Sequence, residues 1–246
     1  MSDTLSDMRR FLDASFYNGT EHSPPDLTRG RFPFVTVSRE YGAGGHHLAR
    51  TLLEHLDAMP ETELHGWKIF DRDLCESLIA DPQLRDSIDS LLSEEYRTEV
   101  ESLVYSLLGR ASPQPAAINQ LFNFIRTLAT FGKVVIVGRA GAAVTGSLPL
   151  GVHVRLAAPL GFKIHRARLD RISRDEALRI VKRKDSARAK LVKNHFQRDI
   201  TDPCLYDMVL NTERVPFSFI AETTALLVRK RWNERKLEPA IRRPAR

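Results

Sequence analysis

The chain has 246 residues, 42% hydrophobic and 28% charged, which suits a globular protein with one α/β domain carrying insertions, or two small domains. No apolar run is long enough to span a bilayer and no signal peptide is expected, so no membrane partner is expected, and the two cysteines without zinc or disulfide spacing make a cytoplasmic setting the expectation. The net charge of +6 is a property of residues 229–246, which hold 8 Lys/Arg against 2 Glu; the remaining body is neutral, and nucleic acid is not an expected partner.

In chain order, Leu5, Met8, Leu12 and Phe16 recur at helical spacing and predict a short amphipathic helix over 4–18. Asn-Gly, Pro-Pro and Arg-Gly pairs mark 18–32 as a linker. A strand follows at 33–38 and a helix from about 45 to 57. Trp67–Phe70 reads as a second short strand, ending in Asp71-Arg72-Asp73. Residues 73–131 read as mostly helical, with a break near Gly109 to Pro115. The apolar runs at 133–138 and 153–157 are strands, 159–197 is two helices meeting near Ser173, 206–211 is a last strand and 216–233 a last helix. Unbroken apolar strands alternating with helices predict a doubly wound parallel sheet covered on both faces. Cys75 and Cys204 lack zinc or disulfide spacing and read as small buried residues in a reducing compartment.

The most informative stretch is Phe34-Val35-Thr36-Val37-Ser38-Arg39-Glu40-Tyr41-Gly42-Ala43-Gly44-Gly45-His46-His47. It is a strand, a glycine-rich turn and a helix start, the order that presents backbone N–H groups and a helix N-terminus to an anion. Against the phosphate-loop pattern G-x-x-x-x-G-K-[ST], Gly44 fits the second glycine. Arg39 stands at the first glycine, Gly45 at the lysine and His46 at the hydroxyl. On the loop alone, a phosphate cradle and a plain strand-to-helix turn read equally well. A branched side chain at Gly44 is expected to block phosphate without disturbing the fold. His46 reads as a phosphate contact or as a solvated helix-start histidine.

In such sheets ligands lie at the carboxyl ends of the strands. Those ends carry Arg39, Arg72 and Arg139, and forked guanidinium donors suit phosphate. Residues 163–198 hold 13 Lys/Arg against 4 Asp/Glu, whereas 61–101 hold 4 against 12. The basic segment reads as an anion clamp or as a solvated helix face.

Together V-T-V-S-R-E-Y-G-A-G-G, I-F-D-R-D-L, V-V-I-V-G-R-A-G, V-R-L-A-A-P and Y-D-M-V-L-N-T resemble the cytidylate kinase-like branch of the P-loop nucleoside monophosphate kinases. Members resemble this chain in writing glycine where other kinases write the loop lysine. The resemblance implies a P-loop NTPase-type parallel sheet sandwiched by helices, with a helical lid. It divides the chain into an N-terminal helix and linker (1–32), a kinase-like domain (33–228, lid about 163–198) and a basic tail (229–246). It implies ATP and Mg²⁺ as cofactors and nucleotides as partners. Gly42, Ala43, Gly44, Gly45 and His46 would hold the donor phosphates. Asp71, Arg72, Arg139, Arg166 and Arg168 would serve the acceptor, and Arg39, Arg183, Asp185 and Arg188 would act in transfer. No protein metal ligand follows. The chain departs from the family at Ala140, where Gly-Arg-Asp carries aspartate, and at Val181 and Lys182, where the lid motif R-D-x-x-D-x-x-R opens. The implied activity is transfer of the ATP γ-phosphoryl group to CMP or dCMP. The alternative is a nucleotide-binding sensor of the same fold with little or no turnover. The sequence leaves the oligomeric state open.

Overall fold

The computed structural model describes residues 10, 31–71, 74, 115–167 and 172–241. Its strands are β1 (Phe34–Arg39), β2 (Lys68–Phe70), β3 (Val134–Val137), β4 (Gly151–Ala157) and β5 (Met208–Asn211). They form one parallel sheet in the order β2-β3-β1-β4-β5. Central strand β1 pairs Val35 with Val135 on one side and Phe34 with Gly151 on the other. The sequence shows why these segments are central. Val134–Val137 is wholly apolar and β-branched, a run that suits burial on both faces.

Side-chain alternation sends each strand's residues to two separate cores. On one face Val35, Val37, Val135, Val154 and Leu156 pack against Leu48, Leu52 and Leu56 of α1 (Gly45–Asp57) and Ile220, Ala221 and Val228 of α6 (Phe217–Ile241). On the other, Phe34, Phe70 and Ile136 pack under Phe124, Ile125 and Leu128 of α2 (Pro115–Phe131) and Val144 of α3 (Gly141–Thr145). Phe70 and Phe124 meet edge to face at 6.4 Å. The fold is therefore the parallel α/β sheet covered on both faces that the sequence pattern predicts, and the P-loop NTPase-type sheet between helices that the resemblance implies.

A third, smaller cluster joins α4 (Leu160–Ala167) to α5 (Arg174–Phe196) through Ile164, Ala167, Ala177 and Val181, with Tyr41 of the loop packed against it. Ser173 accepts a hydrogen bond from the Glu176 N–H and so starts α5. The predicted meeting of two helices near Ser173 coincides with this cap.

Three features differ from expectation. The short helix α3 follows β3 where no helix was predicted; five residues of Gly-Ala-Ala-Val-Thr carry too little periodicity to announce one. The last helix runs on to Ile241 instead of ending near 233. Along it lie ion pairs from Arg229 to Glu61 (2.5 Å), Arg231 to Asp207 (3.0 Å) and Lys236 to Glu63 (3.0 Å), so part of the basic C-terminal charge is tied to the body. Cys204 is exposed, in the 3₁₀ turn Pro203–Leu205, and not buried. Cys75 lies outside the described residues, as do the predicted helix at 4–18 except for Arg10, most of the linker at 18–32 and the region 75–114. No described helix is long and apolar enough to cross a membrane.

Candidate functional site: a phosphate loop braced by arginine

The loop Glu40–Gly44 leaves β1 and turns through the Ala43 N–H to Glu40 carbonyl bond of 3.2 Å. Gly42 and Gly44 sit at φ 82° and 86°, a region L side chains rarely enter. Gly44 is the N-cap of α1, which no side chain caps, and the first turn holds no acidic residue. The end of α1 thus keeps its N–H groups and positive pole available to an anion.

Arg39 supplies what the loop lacks. Its stem lies where a side chain at position 45 would begin: a Cβ on Gly45 would be 3.0 Å from Arg39 Cγ and 3.2 Å from Cδ. Its guanidinium then lies on Gly138, at φ 85°, where a Cβ would meet Arg39 Nη1 at 1.8 Å. Only glycine at 138 leaves room for that guanidinium. Burial lowers the Arg39 pKa to about 10, with Arg188 and Arg139 pushing the same way and Asp71 opposing. The guanidinium remains charged at neutral pH, with the cations Arg188 and Arg139 and the carboxylate Asp71 near it.

Arg139 sits in unusual backbone. Gly138, Arg139 and Ala140 are three consecutive residues with positive φ, at 85°, 54° and 54°. Each non-glycine residue held there costs on the order of 1–2 kcal/mol. The strained turn ends in the Gly141 N–H to Gly138 carbonyl bond (2.9 Å) and starts α3. It carries Arg139 to the carboxyl end of β3, beside Arg39.

From α5, Arg188 donates to the Arg39 carbonyl (3.2 Å) and to Asp185 Oδ1 (3.3 Å). Asp185 Oδ1 also accepts the Tyr41 N–H at 2.6 Å. Burial lowers the Arg188 pKa and Asp185 opposes the shift. Beneath this contact is a cavity of about 40 Å³, lined in part by Ser38, Arg139, Ala142, Arg188, Leu191 and Tyr206. It has room for about three waters.

The remaining sequence candidates fall into three groups. Asp71, at the end of β2, faces His46 (Nδ1 to Oδ2, 3.8 Å) and accepts the Leu74 N–H (3.0 Å). Arg166 of α4 lies 6.0 Å above the Phe217 ring, which itself covers Gly44. Arg183 is exposed on α5, two positions and so about 200° around the helix from Asp185. Arg72 and Arg168 lie outside the described residues.

The contact between Phe217 and Gly44 corrects one expectation. A Cβ at Gly44 would be 2.3 Å from Phe217 Cζ, at positive φ. A branched residue there would displace the start of α6 as well as any phosphate, so it is no clean probe of binding. His47 also meets Phe217, edge to face at 4.6 Å.

Sequence reasoning missed Glu40, Tyr41, Lys163 and Phe217. Lys163 is the least predictable. It is 8% exposed on α4, between Phe162 and Ile164, with Nζ 2.8 Å from Glu40 Oε2 and 3.0 Å from Asp185 Oδ2. The signal for it was a lysine at an apolar-phase position of a short amphipathic helix.

The donor set fits a polyphosphate through the uncapped helix start and left-handed glycines of the loop. It fits Mg²⁺ only through Asp71 and water, because no group of three or more His, Cys, Asp or Glu side chains forms among the described residues. Mg²⁺ commonly keeps several waters and takes one or two carboxylates plus phosphate oxygens.

A family model described as the cytidylate kinase-like family matches residues 34–214. No curated protein matches the chain. Among solved structures, an uncharacterized protein from Eubacterium ventriosum ATCC 27560 is similar at 19% identity and TM-score 0.63, covering 81% of this chain and 99% of its own. A gluconokinase from Sinorhizobium meliloti 1021 (13%, TM-score 0.45, 85% and 98%) and a shikimate kinase from Bacteroides thetaiotaomicron (14%, TM-score 0.41, 80% and 96%) are more distant. The phosphate loop, the sheet order and the family match together make the chain a P-loop kinase-like protein that belongs to the cytidylate kinase-like family.

Proposed function

We propose that the protein transfers the γ-phosphoryl group of ATP to a nucleoside monophosphate, CMP or dCMP in the first instance. The observation that carries this reading is Arg39, whose stem fills the space beside Gly45 and whose guanidinium reaches Gly138. A cation from the strand end stands in for the missing loop lysine.

The chemistry asks little else of the chain. A monophosphate acceptor brings its own ionised oxygen as nucleophile, so no general base is needed and positioning with charge neutralisation does most of the work. ATP would supply the transferred group, with Mg²⁺ neutralising its phosphate oxygens. The loop N–H groups of Gly42 to His46 bind and orient the donor. Arg39 lies between the loop and β3, where charge spreads during transfer, and a preorganised cation there lowers the barrier. Arg139, across Gly138, holds the acceptor phosphate, and Arg188 closes the site from α5. Asp71 would help hold Mg²⁺, which would neutralise phosphate charge there. Arg166 shields the donor side above Phe217. Arg183, facing solvent, is left without a role in transfer.

Arg188 ties α5 to the Arg39 carbonyl at the strand end, and release of that contact would open the acceptor side. Residues 163–198 would then serve as the lid, within a working domain of 33–228. The sensor reading draws on His46, where the phosphate-loop pattern carries a hydroxyl, and Ala140, where the family's Gly-Arg-Asp carries aspartate. ATP-to-ADP turnover with CMP, dCMP, UMP, AMP and GMP separates the two. Turnover above the ATP-only rate with a cytidine monophosphate supports the kinase. Tight ATP binding with no acceptor-dependent turnover supports the sensor.

A further inference from the structure

The donor loop and the lid are joined by a partly buried ion triad, with Lys163 buried at its centre, that the phosphoryl-transfer reading does not use. Glu40 is the first residue of the loop after β1, and Asp185 faces it from α5. Lys163 Nζ lies between them, at 2.8 Å from Glu40 Oε2 and 3.0 Å from Asp185 Oδ2. Each carboxylate holds the loop or its surroundings by a second bond. Glu40 Oε2 also accepts the Ala158 N–H (3.2 Å), which fixes it to the end of β4. Asp185 Oδ1 also accepts the Tyr41 N–H (2.6 Å), which fixes the lid to the loop backbone. The main chain of Lys163 takes part as well. Its carbonyl oxygen would be 3.1 Å from a Cβ on Gly42, so α4 rests directly on the loop.

The charges around the triad are Arg155 of β4, 3.9 Å from Glu40 Oε1, and Arg188 of α5, 3.3 Å from Asp185 Oδ1. Neither spans the two carboxylates. Lys163 alone among the described residues touches both. Without it, two partly buried carboxylates would face each other across the gap it fills, next to the place where donor phosphates bind. Both effects oppose an anion there: the loop loses its brace, and net negative charge rises. With Lys163 present, burial pulls its pKa down but the bonds to Glu40 and Asp185 outweigh this and hold it above the usual lysine value, so it is a full cation at neutral pH.

We propose that Lys163 is a positioning residue that sets the donor loop by bridging Glu40 and Asp185, so that loop shape and lid position are coupled through one cation. This rests on the nucleotide-binding reading of the loop. The coupling is sensed at a defined atom, the Tyr41 N–H, whether or not nucleotide is bound.

The test is amide hydrogen exchange of the full-length free protein at Tyr41, with a fluorescent ADP analogue titrated in parallel, for the wild type, Lys163→Met, Lys163→Arg, Asp185→Asn and Lys163→Met/Asp185→Asn. Lys163→Met is expected to speed exchange at Tyr41 at least tenfold, leave Val35 and Val135 in the sheet unchanged, and weaken ADP-analogue binding tenfold or more. Lys163→Arg should recover part of both. In the double variant, removing the stranded charge of Asp185 should restore part of the ADP-analogue affinity while Tyr41 stays fast, a non-additive pattern that loss of packing alone would not produce. Should Lys163→Met fail to fold, Lys163→Gln and Asp185→Asn report on the same amide. Unchanged Tyr41 exchange in a folded Lys163 variant overturns the proposal, as do strictly additive losses in the double variant. If Tyr41 responds as expected but the wild type binds no nucleotide, the clamp stands and the kinase reading falls.

Discussion

The sheet and helix α5 are held by different forces. Around β1 and β3 the side chains are apolar and fully buried: Val35, Val37, Ile136 and Val137 expose essentially nothing. Helix α5 has 23 residues, yet only Ala177, Val181 and Val192 are buried. A small apolar cluster with α4 and the Phe196 contact with Phe122 hold part of it; the rest is held by charge, through Lys163, Asp185, Arg188 and the Arg39 carbonyl. Apolar burial is insensitive to small anions. A site that gathers Arg39, Arg139 and Arg188 is not, because in the proposed function each added phosphate charge would change the balance that holds α5. This division of labour is what the proposed function needs, a scaffold that stays still while α5 answers to phosphate.

Substitutions can break or sharpen this contrast. The largest stability effect is expected in the core. Phe124→Ala removes a ring buried against Phe70 and should cost about 3–5 kcal/mol in urea unfolding. The lid's charge variants should cost far less in stability and more in activity. Gly138→Ala puts a methyl group where Arg39 Nη1 lies, at positive φ. It should lose roughly 1–2 kcal/mol of stability, yet abolish most phosphoryl transfer by expelling the guanidinium. Near-normal turnover in that variant would separate Arg39 from the chemistry. A smaller effect is expected at Arg139. Arg139→Ala should raise the acceptor KM roughly ten- to hundredfold, the worth of a charge-assisted bond of ~1.5–3 kcal/mol, with a minor change in the KM for ATP. Equal changes in both would assign Arg139 to the strained turn alone.

The smallest expected effect is a pH dependence in the scaffold. His153 shares a 2.8 Å hydrogen bond with Thr36 and is buried, which lowers its pKa; Asp207 opposes the shift and Arg231 adds to it. With the folded pKa below the usual 6.5, the unfolded chain takes up the proton first. Stability from this group is full above about pH 6.5 and is lost as pH falls from there through the folded pKa. Unfolding at about pH 7.5 and 5.5 should show a drop that shrinks in His153→Gln. An identical drop in the variant would place the pH sensitivity elsewhere.

The sheet was readable because it is made of local signals. A run such as Lys-Val-Val-Ile-Val-Gly at 133–138 announces a buried strand without knowledge of any partner, so all five strands fall within a residue or two of their predicted bounds. The loop was readable for the same reason, as two glycines and a helix start. The site's decisive contacts are not local. Arg39 on Gly138 joins two strand ends, and Lys163 joins α4 to the loop and α5. A lone lysine between Phe162 and Ile164 gives no sign of which carboxylates it will meet. Helix α3 was missed because five small residues carry no period. Arg183 was selected for its nearness in sequence to Asp185, and helical geometry turns it to solvent instead.

The central claim is that Arg39 replaces the loop lysine. Its most direct test is chemical rescue: ATP-to-ADP turnover with CMP by Arg39→Ala, with and without millimolar guanidinium ion. The account predicts that the variant stays folded, loses on the order of a hundredfold or more in kcat, and regains part of it when guanidinium occupies the space between Gly45 and Gly138. A folded Arg39→Ala protein with wild-type kcat, or one that guanidinium leaves unchanged, would contradict it.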